Sequence, residues 1–149
     1  MRDGFVKCAA MIPSIKVADC ANNEAEIIRL IDEAATSGAK VVVFPELCIT
    51  GYTCGDLFLQ DSLLNGAIAS LIRIAKHSEG LDMIVFVGLP FMYGNKLYNA
   101  ATAVSGGRIL GITPKTHLPN YSEFYEVRHF NPASADVSMI KIGGLDYEI

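Results

Sequence analysis

The sequence predicts an α/β domain on a mainly parallel sheet, and three observations carry that prediction. Two apolar runs, Val41 to Phe44 and Met83 to Val87, lack polar alternation, as strands buried on both faces do. Two stretches with apolar residues at helical spacing, near 23–37 and 62–78, alternate with them. That β-α-β-α-β order calls for parallel pairing through right-handed crossovers. Finally, 51% of the 149 residues are hydrophobic and 19% are charged, which suits one globular core and excludes a disordered chain.

Phe5 to Ile12, closed by Pro13, reads as the first strand. Asn23 with Glu26 has the spacing of a capping box. The helix it would open carries Ile27, Ile28, Ile31, Ala34 and Ala35 on one stripe, and Gly38 closes it. The Val41–Phe44 strand stops at Pro45, which cannot donate to a ladder. In the second helix Leu64, Ala67, Ile68, Leu71, Ile72 and Ala75 face inward, and Gly80 ends it. Met83 to Val87 is the third strand.

After Pro90 the character changes. Leu97 to Val104, a Ser105-Gly106-Gly107 turn and Arg108 to Thr113 read as a hairpin. Residues 116–135 are polar and aromatic without periodicity, and irregular segments of that length inside a compact domain tend to be functional. Val137 to Ile142 is a last strand, and Gly143-Gly144 begins a turn. There is no internal repeat or linker.

Composition excludes several function classes. A net charge of −4 without a Lys/Arg cluster argues against nucleic acid. No apolar run approaches a membrane span. The N-terminus has no signal-peptide pattern, so a cytoplasmic protein is expected. Cys8, Cys20, Cys48 and Cys54 are not spaced as a zinc site and are expected to be reduced structural thiols; no metal is assigned. Ser105-Gly106-Gly107 and Gly143-Gly144 open no helix and read as hairpin turns, not phosphate cradles.

Two charged residues sit at strand exits. Glu46 follows Pro45 and Lys115 follows Pro114. Open α/β sheets place their ligand sites beyond the carboxyl ends of their strands. Brought together in a partly dry pocket, the two would hold each other charged as a base and an oxyanion-stabilising cation. The same residues also fit an ordinary ion pair, or two unrelated surface charges. Glu123 and Glu126 form a second acidic pair that reads as solvated, and His117 lies near Lys115.

These residues carry a resemblance. Phe44-Pro45-Glu46-Leu47, Gly51-Tyr52, and Lys115 in Lys115-Thr116-His117-Leu118-Pro119 resemble the nitrilase (carbon–nitrogen hydrolase) superfamily. Gly51-Tyr52-Thr53-Cys54-Gly55-Asp56-Leu57-Phe58 and Asn120-Tyr121-Ser122-Glu123-Phe124-Tyr125-Glu126 are similar to the glutaminase domains of glutamine-dependent NAD synthetases. The match runs from the first strand to about Phe130. It implies an α-β-β-α sandwich, of which this chain is the N-terminal portion, and a Glu–Lys–Cys catalytic set. Glu46 matches the general base, Lys115 the cation beside the oxyanion, and Glu123 the auxiliary second glutamate. Tyr52 and Tyr121 match positions lining a glutamine pocket.

The family's nucleophilic cysteine lies after a later strand, and all four cysteines here precede Lys115. The resemblance therefore implies glutamine as substrate of the parent protein and an inactive fragment. No cofactor is implied for this portion; ATP and deamido-NAD belong to an absent synthetase domain. Another amidase or carbamoylase of the superfamily, or a non-catalytic interaction module, are the alternatives. The apolar sheet face left without cover is expected either to drive self-association into a homo-oligomer or to need the missing half-domain of the parent chain beside it.

Overall fold

The computed structural model describes residues 4–134, 138–142 and 145–148. Its five-stranded sheet has the order β1-β2-β3-β4-β5. The strands are Cys8–Ala10 (β1), Val41–Val43 (β2), Ile84–Tyr93 (β3), Lys96–Ser105 (β4) and Arg108–Pro114 (β5). Helices Cys20–Thr36 (α1) and Asp61–His77 (α2) supply the two crossovers. A separate two-stranded ribbon joins Met139–Ile142 (β6) to Leu145–Glu148 (β7). Val137 and Gly143-Gly144 lie outside the described residues.

Only β1, β2 and β3 are parallel; β4 and β5 return as antiparallel strands, so the sheet is mixed rather than mainly parallel. The difference arises at Pro90. Gly88 O and Phe86 O face the β2 side, where they accept from Ile49 N and Phe44 N. By strand alternation Pro90 also turns its nitrogen to that side, beyond the last residue of β2, so no ladder bond is lost. The strand continues to Tyr93 and reverses through Gly94-Asn95, both at positive φ, as a two-residue hairpin turn requires. The predicted β4–β5 hairpin forms around Gly106-Gly107.

Helix α1 starts earlier than the capping-box spacing predicts. Asp19 is the cap, its side chain accepting from Asn22 N. Asn23 is instead fully buried: its Oδ1 accepts from Lys16 N, and its Nδ2 donates to Lys16 O and Ile49 O. This amide thereby ties the start of α1 to the loop after β2. Glu26, the other half of the expected box, pairs with Arg29 one turn on.

One sheet face carries the core. Val42, Val85, Val87, Leu89, Val104 and Ile112 pack with Ile27, Ile31, Leu71 and Ile74 of the helices. Ile72, expected inside, is 39% exposed, and Ile74 takes its place. On the opposite face Val43 is 44% exposed, and Ala101, Leu110 and Thr113 are exposed as well. The all-apolar β2 run is thus covered on one side only among the described residues.

Candidate active site

Strand direction brings the two exits together. β2 and β3 are parallel, and two antiparallel steps make β5 run the same way, so the carboxyl ends of β2 and β5 open on one edge of the sheet. Glu46 leaves β2, and the loop that follows folds against β3 at Gly88. A Cβ on Gly88 would lie 2.4 Å from Leu47 N and 3.2 Å from Glu46 Cα, so only glycine permits that approach. Leu47 is itself in the left-handed region at φ 52° and wholly buried, and Gly51 N closes the turn onto its carbonyl at 2.8 Å. Lys115 follows β5, and its N–H donates to the carbonyl of Asn99 on β4 at 2.8 Å.

The side chains converge. Lys115 Nζ donates to Glu46 Oε1 at 2.7 Å and to Glu126 Oε1 at 2.9 Å. Glu126 is 4% exposed and also accepts from Tyr52 Oη at 2.8 Å and Asn99 Nδ2 at 3.3 Å. Asn99 Nδ2 further donates to Glu46 Oε1. A buried carboxylate with three donors is compensated for the water it has lost. Partial burial by itself would lower the Lys115 pKa, but the hydrogen bonds and charges of Glu46 and Glu126 outweigh it, and the net direction is upward. Burial, then the Glu126 hydrogen bond, pushes the Tyr52 hydroxyl upward, which keeps it a donor to Glu126. Beside this cluster an open pocket of about 410 Å³ runs along the uncovered sheet face, lined by Val43, Phe86, Ala101 and Pro114.

The expected residues are only partly gathered. Glu46, Lys115 and Tyr52 share the cluster, whereas Glu123 and Tyr121 do not. Glu126, not Glu123, sits on the ammonium. The reason is local: a 3-10 turn over Glu126–Arg128 faces Glu126 inward, and Phe130 N closes onto its carbonyl at 2.8 Å. Glu123 is exposed, in the turn after Ser122, whose φ is +55°. Its pKa is lowered mainly by the Ser122 hydroxyl. It lines a second pocket of about 250 Å³ with Tyr52, Phe58 and His129. Tyr121 is 68% exposed, its ring set edge-on against Phe124. Phe130, buried four residues after Glu126, is the one sequence signal that could have singled out Glu126 as facing inward. Asn99 had no signal within a strand.

Among the described residues no thiol hydrogen-bonds Glu46 or Lys115. Cys48 Sγ faces Gly88, donating to its O at 3.7 Å and accepting from its N at 3.4 Å. Burial pushes its pKa up to about 11. Cys20 is raised to about 11, chiefly by burial and then by Cys54, and Cys54 is also raised by burial. A protonated buried thiol is a poor nucleophile. At pH 8 a thiol reagent is therefore expected to label exposed Cys8 quickly and Cys48 only after unfolding; rapid labelling of Cys48 in the native chain would contradict its packing. Because the folded pKa is raised from 9.0, the stability this thiol contributes is complete below about pH 9 and is lost between about pH 9 and 11. Among the described residues no His/Cys/Asp/Glu cluster could hold a metal ion, and no helix is long and apolar enough to cross a membrane.

Comparison with known proteins agrees with this geometry. The chain is 37% identical over 143 residues to the glutamine-dependent NAD(+) synthetase of Mycobacterium tuberculosis, covering 96% of this chain and 21% of the relative. It is 38% identical over 128 residues to that of Aquifex aeolicus, covering 86% and 22%. The chain thus spans about a fifth of the length of these relatives. The crystal structure of a glutamine-dependent NAD(+) synthetase from Cytophaga hutchinsonii superposes with a TM-score of 0.89 at 30% identity, over 96% of this chain and 24% of that one. An amidase from Nesterenkonia sp., 21% identical, shares the fold at a TM-score of 0.75, over 99% and 56%. The carbon-nitrogen hydrolase family model matches residues 7–146. With that match over nearly its whole length, and with the Glu46 and Lys115 strand exits meeting in one cluster, the chain belongs to the carbon-nitrogen hydrolase family.

Proposed function

We propose that this chain is part of the glutamine amidohydrolase unit of a glutamine-dependent NAD synthetase, releasing ammonia for ATP-dependent amidation of deamido-NAD. The observation that carries the reading is the Lys115–Glu46 contact at 2.7 Å, in a chain 37% identical to a glutamine-dependent NAD(+) synthetase. In this reading a cysteine thiol attacks the amide carbon of glutamine while Glu46 takes the thiol proton. Lys115 faces the oxyanion of the tetrahedral intermediate. Its collapse breaks the C–N bond, Glu46 returns the proton to the departing ammonia, and water then cleaves the thioester. Glu126 holds Lys115 in place. Tyr52, its hydroxyl committed to Glu126, borders the substrate in this reading, and Tyr121, exposed outside the cluster, is the second residue assigned to the glutamine pocket.

Among the described residues no thiol hydrogen-bonds Glu46 or Lys115, so in this reading the nucleophile is supplied by another segment of the parent protein, and ATP and deamido-NAD bind elsewhere. The chain by itself is expected to leave glutamine intact. Joined to the remaining sequence of the Mycobacterium tuberculosis relative, it is expected to release ammonia from glutamine and to support glutamine-driven NAD formation. A folded chimera that makes NAD from free ammonia but never from glutamine would reject this reading. The open sheet face is in turn expected to make the isolated chain self-associate. Light scattering that finds a monomer, with no dye-binding apolar surface, would show that the face needs no cover.

A further inference from the structure

We infer that Asn99 is a positioning residue that selects Glu46 Oε2 as the proton-accepting atom of the cluster. This deepens the proposed hydrolytic reading and rests on it for the identity of Glu46 as base. The geometry is a four-membered bridge. Lys115 Nζ donates to Oε1 of both carboxylates, and Asn99 Nδ2 donates to Glu46 Oε1 and Glu126 Oε2. Tyr52 adds a second donor to Glu126 Oε1. Of the four carboxylate oxygens, three are engaged, and Glu46 Oε2 makes no hydrogen bond among the described residues.

The amide orientation follows from its neighbours. Two ionised carboxylates only accept, so the face of Asn99 toward them must be its NH2. Asn99 is 3% exposed and held on β4, which makes it a fixed donor, unlike the long flexible Lys115 stem. Its chemistry also matters. Two carboxylates joined by one ammonium carry a net −1 charge, and like charges so close favour a shared proton. A neutral amide adds donors to both without adding charge, and by occupying Glu46 Oε1 together with Lys115 it leaves Oε2 as the oxygen open to accept. The titratable and charged groups facing the cluster are Glu46, Glu126, Lys115 and Tyr52, and no others bond to it among the described residues.

The test needs no catalysis, so its failure is separable from failure of the hydrolase reading. In isotope-labelled chain, NMR at neutral pH would follow the side-chain carboxyl carbons of Glu46 and Glu126 and the Asn99 side-chain amide protons. In the unmodified chain the Asn99 amide protons are expected to lie downfield and to show coupling across the hydrogen bond to the Glu46 carboxyl carbon. In Asn99→Ser, which withdraws the donor without adding charge, the Glu46 carboxyl carbon is expected to shift. A merely structural role would lower the melting temperature and leave that carbon unmoved. Asn99 amide protons without coupling to Glu46 would overturn the inference even if the variant does not fold. In the active chimera, Asn99→Ser is expected to cut kcat with KM nearly constant, and a loss confined to KM would equally overturn it.

Discussion

Glu46→Gln in the chimeric enzyme is expected to lower glutamine hydrolysis by a factor of about 10³ or more, within the range spanned by loss of a general base and of a whole catalytic unit. Glutamine at 46 keeps the length and an acceptor oxygen for Lys115, so the contact at 2.7 Å can be retained and the fold preserved. What disappears is the ability to take a proton from the thiol, whose ordinary pKa of about 8.5 leaves it mostly protonated at neutral pH. NAD formation driven by added ammonia is expected to persist, because it bypasses the amide bond. Measuring both activities on one preparation separates the outcomes. Loss of both would signal misfolding, and retention of glutamine hydrolysis within a few-fold would remove Glu46 from the chemistry.

The sequence made the strand exits legible and left the cluster around them half hidden. Pro45 and Pro114 mark where β2 and β5 stop, so Glu46 and Lys115 could be singled out as neighbours of the sheet's carboxyl edge. That they meet depends on β5 running with β2, which needed the return of β4 through Gly94-Asn95. Pro90 obscured that hairpin, because a proline inside a strand is tolerated only where its neighbour has already ended, a tertiary fact. Asn99 and Glu126 were hidden for a related reason. A buried polar side chain among apolar neighbours has no periodicity of its own, and the 3-10 turn that faces Glu126 inward is too short to show one. The resemblance pointed to Glu123 as the second glutamate, whereas Glu126, three residues on, is the carboxylate that reaches Lys115. Asn23 was misread because a capping residue and a buried bridging amide use the same side-chain chemistry; only its bond to Ile49 O tells them apart.

Gly88→Ala is expected to be the most damaging single-methyl change in the fold, and it connects packing to the site. The added Cβ would stand 2.4 Å from Leu47 N, and 3.1 Å from the Glu46 carbonyl carbon. Both are backbone atoms, so no rotamer change relieves the clash. Either β3 or the Glu46 loop must move, and β3 is held by its ladder to β4 across nine residue pairs. The loop is the weaker partner, tied to Gly88 through Ile49 N at 3.1 Å and through Cys48 Sγ. Overpacking of this kind costs about 1–3 kcal/mol, and more where backbone is hit, which for a chain this size lowers the melting temperature by roughly 5–10 °C. Displacing the loop also withdraws Glu46 from Lys115, so the chimera should lose glutamine hydrolysis well beyond what lost stability explains, and Cys48 should become open to thiol reagents in the native state. Gly66→Ala is the control: in α2 its Cβ would meet Cys20 Sγ at 3.5 Å and Cys20 Cβ at 3.7 Å, both ordinary contacts, and the helix should gain about 0.5–1 kcal/mol. Equal melting temperatures for the two variants, with Cys48 protected in both, would show that the loop does not depend on the missing side chain at 88.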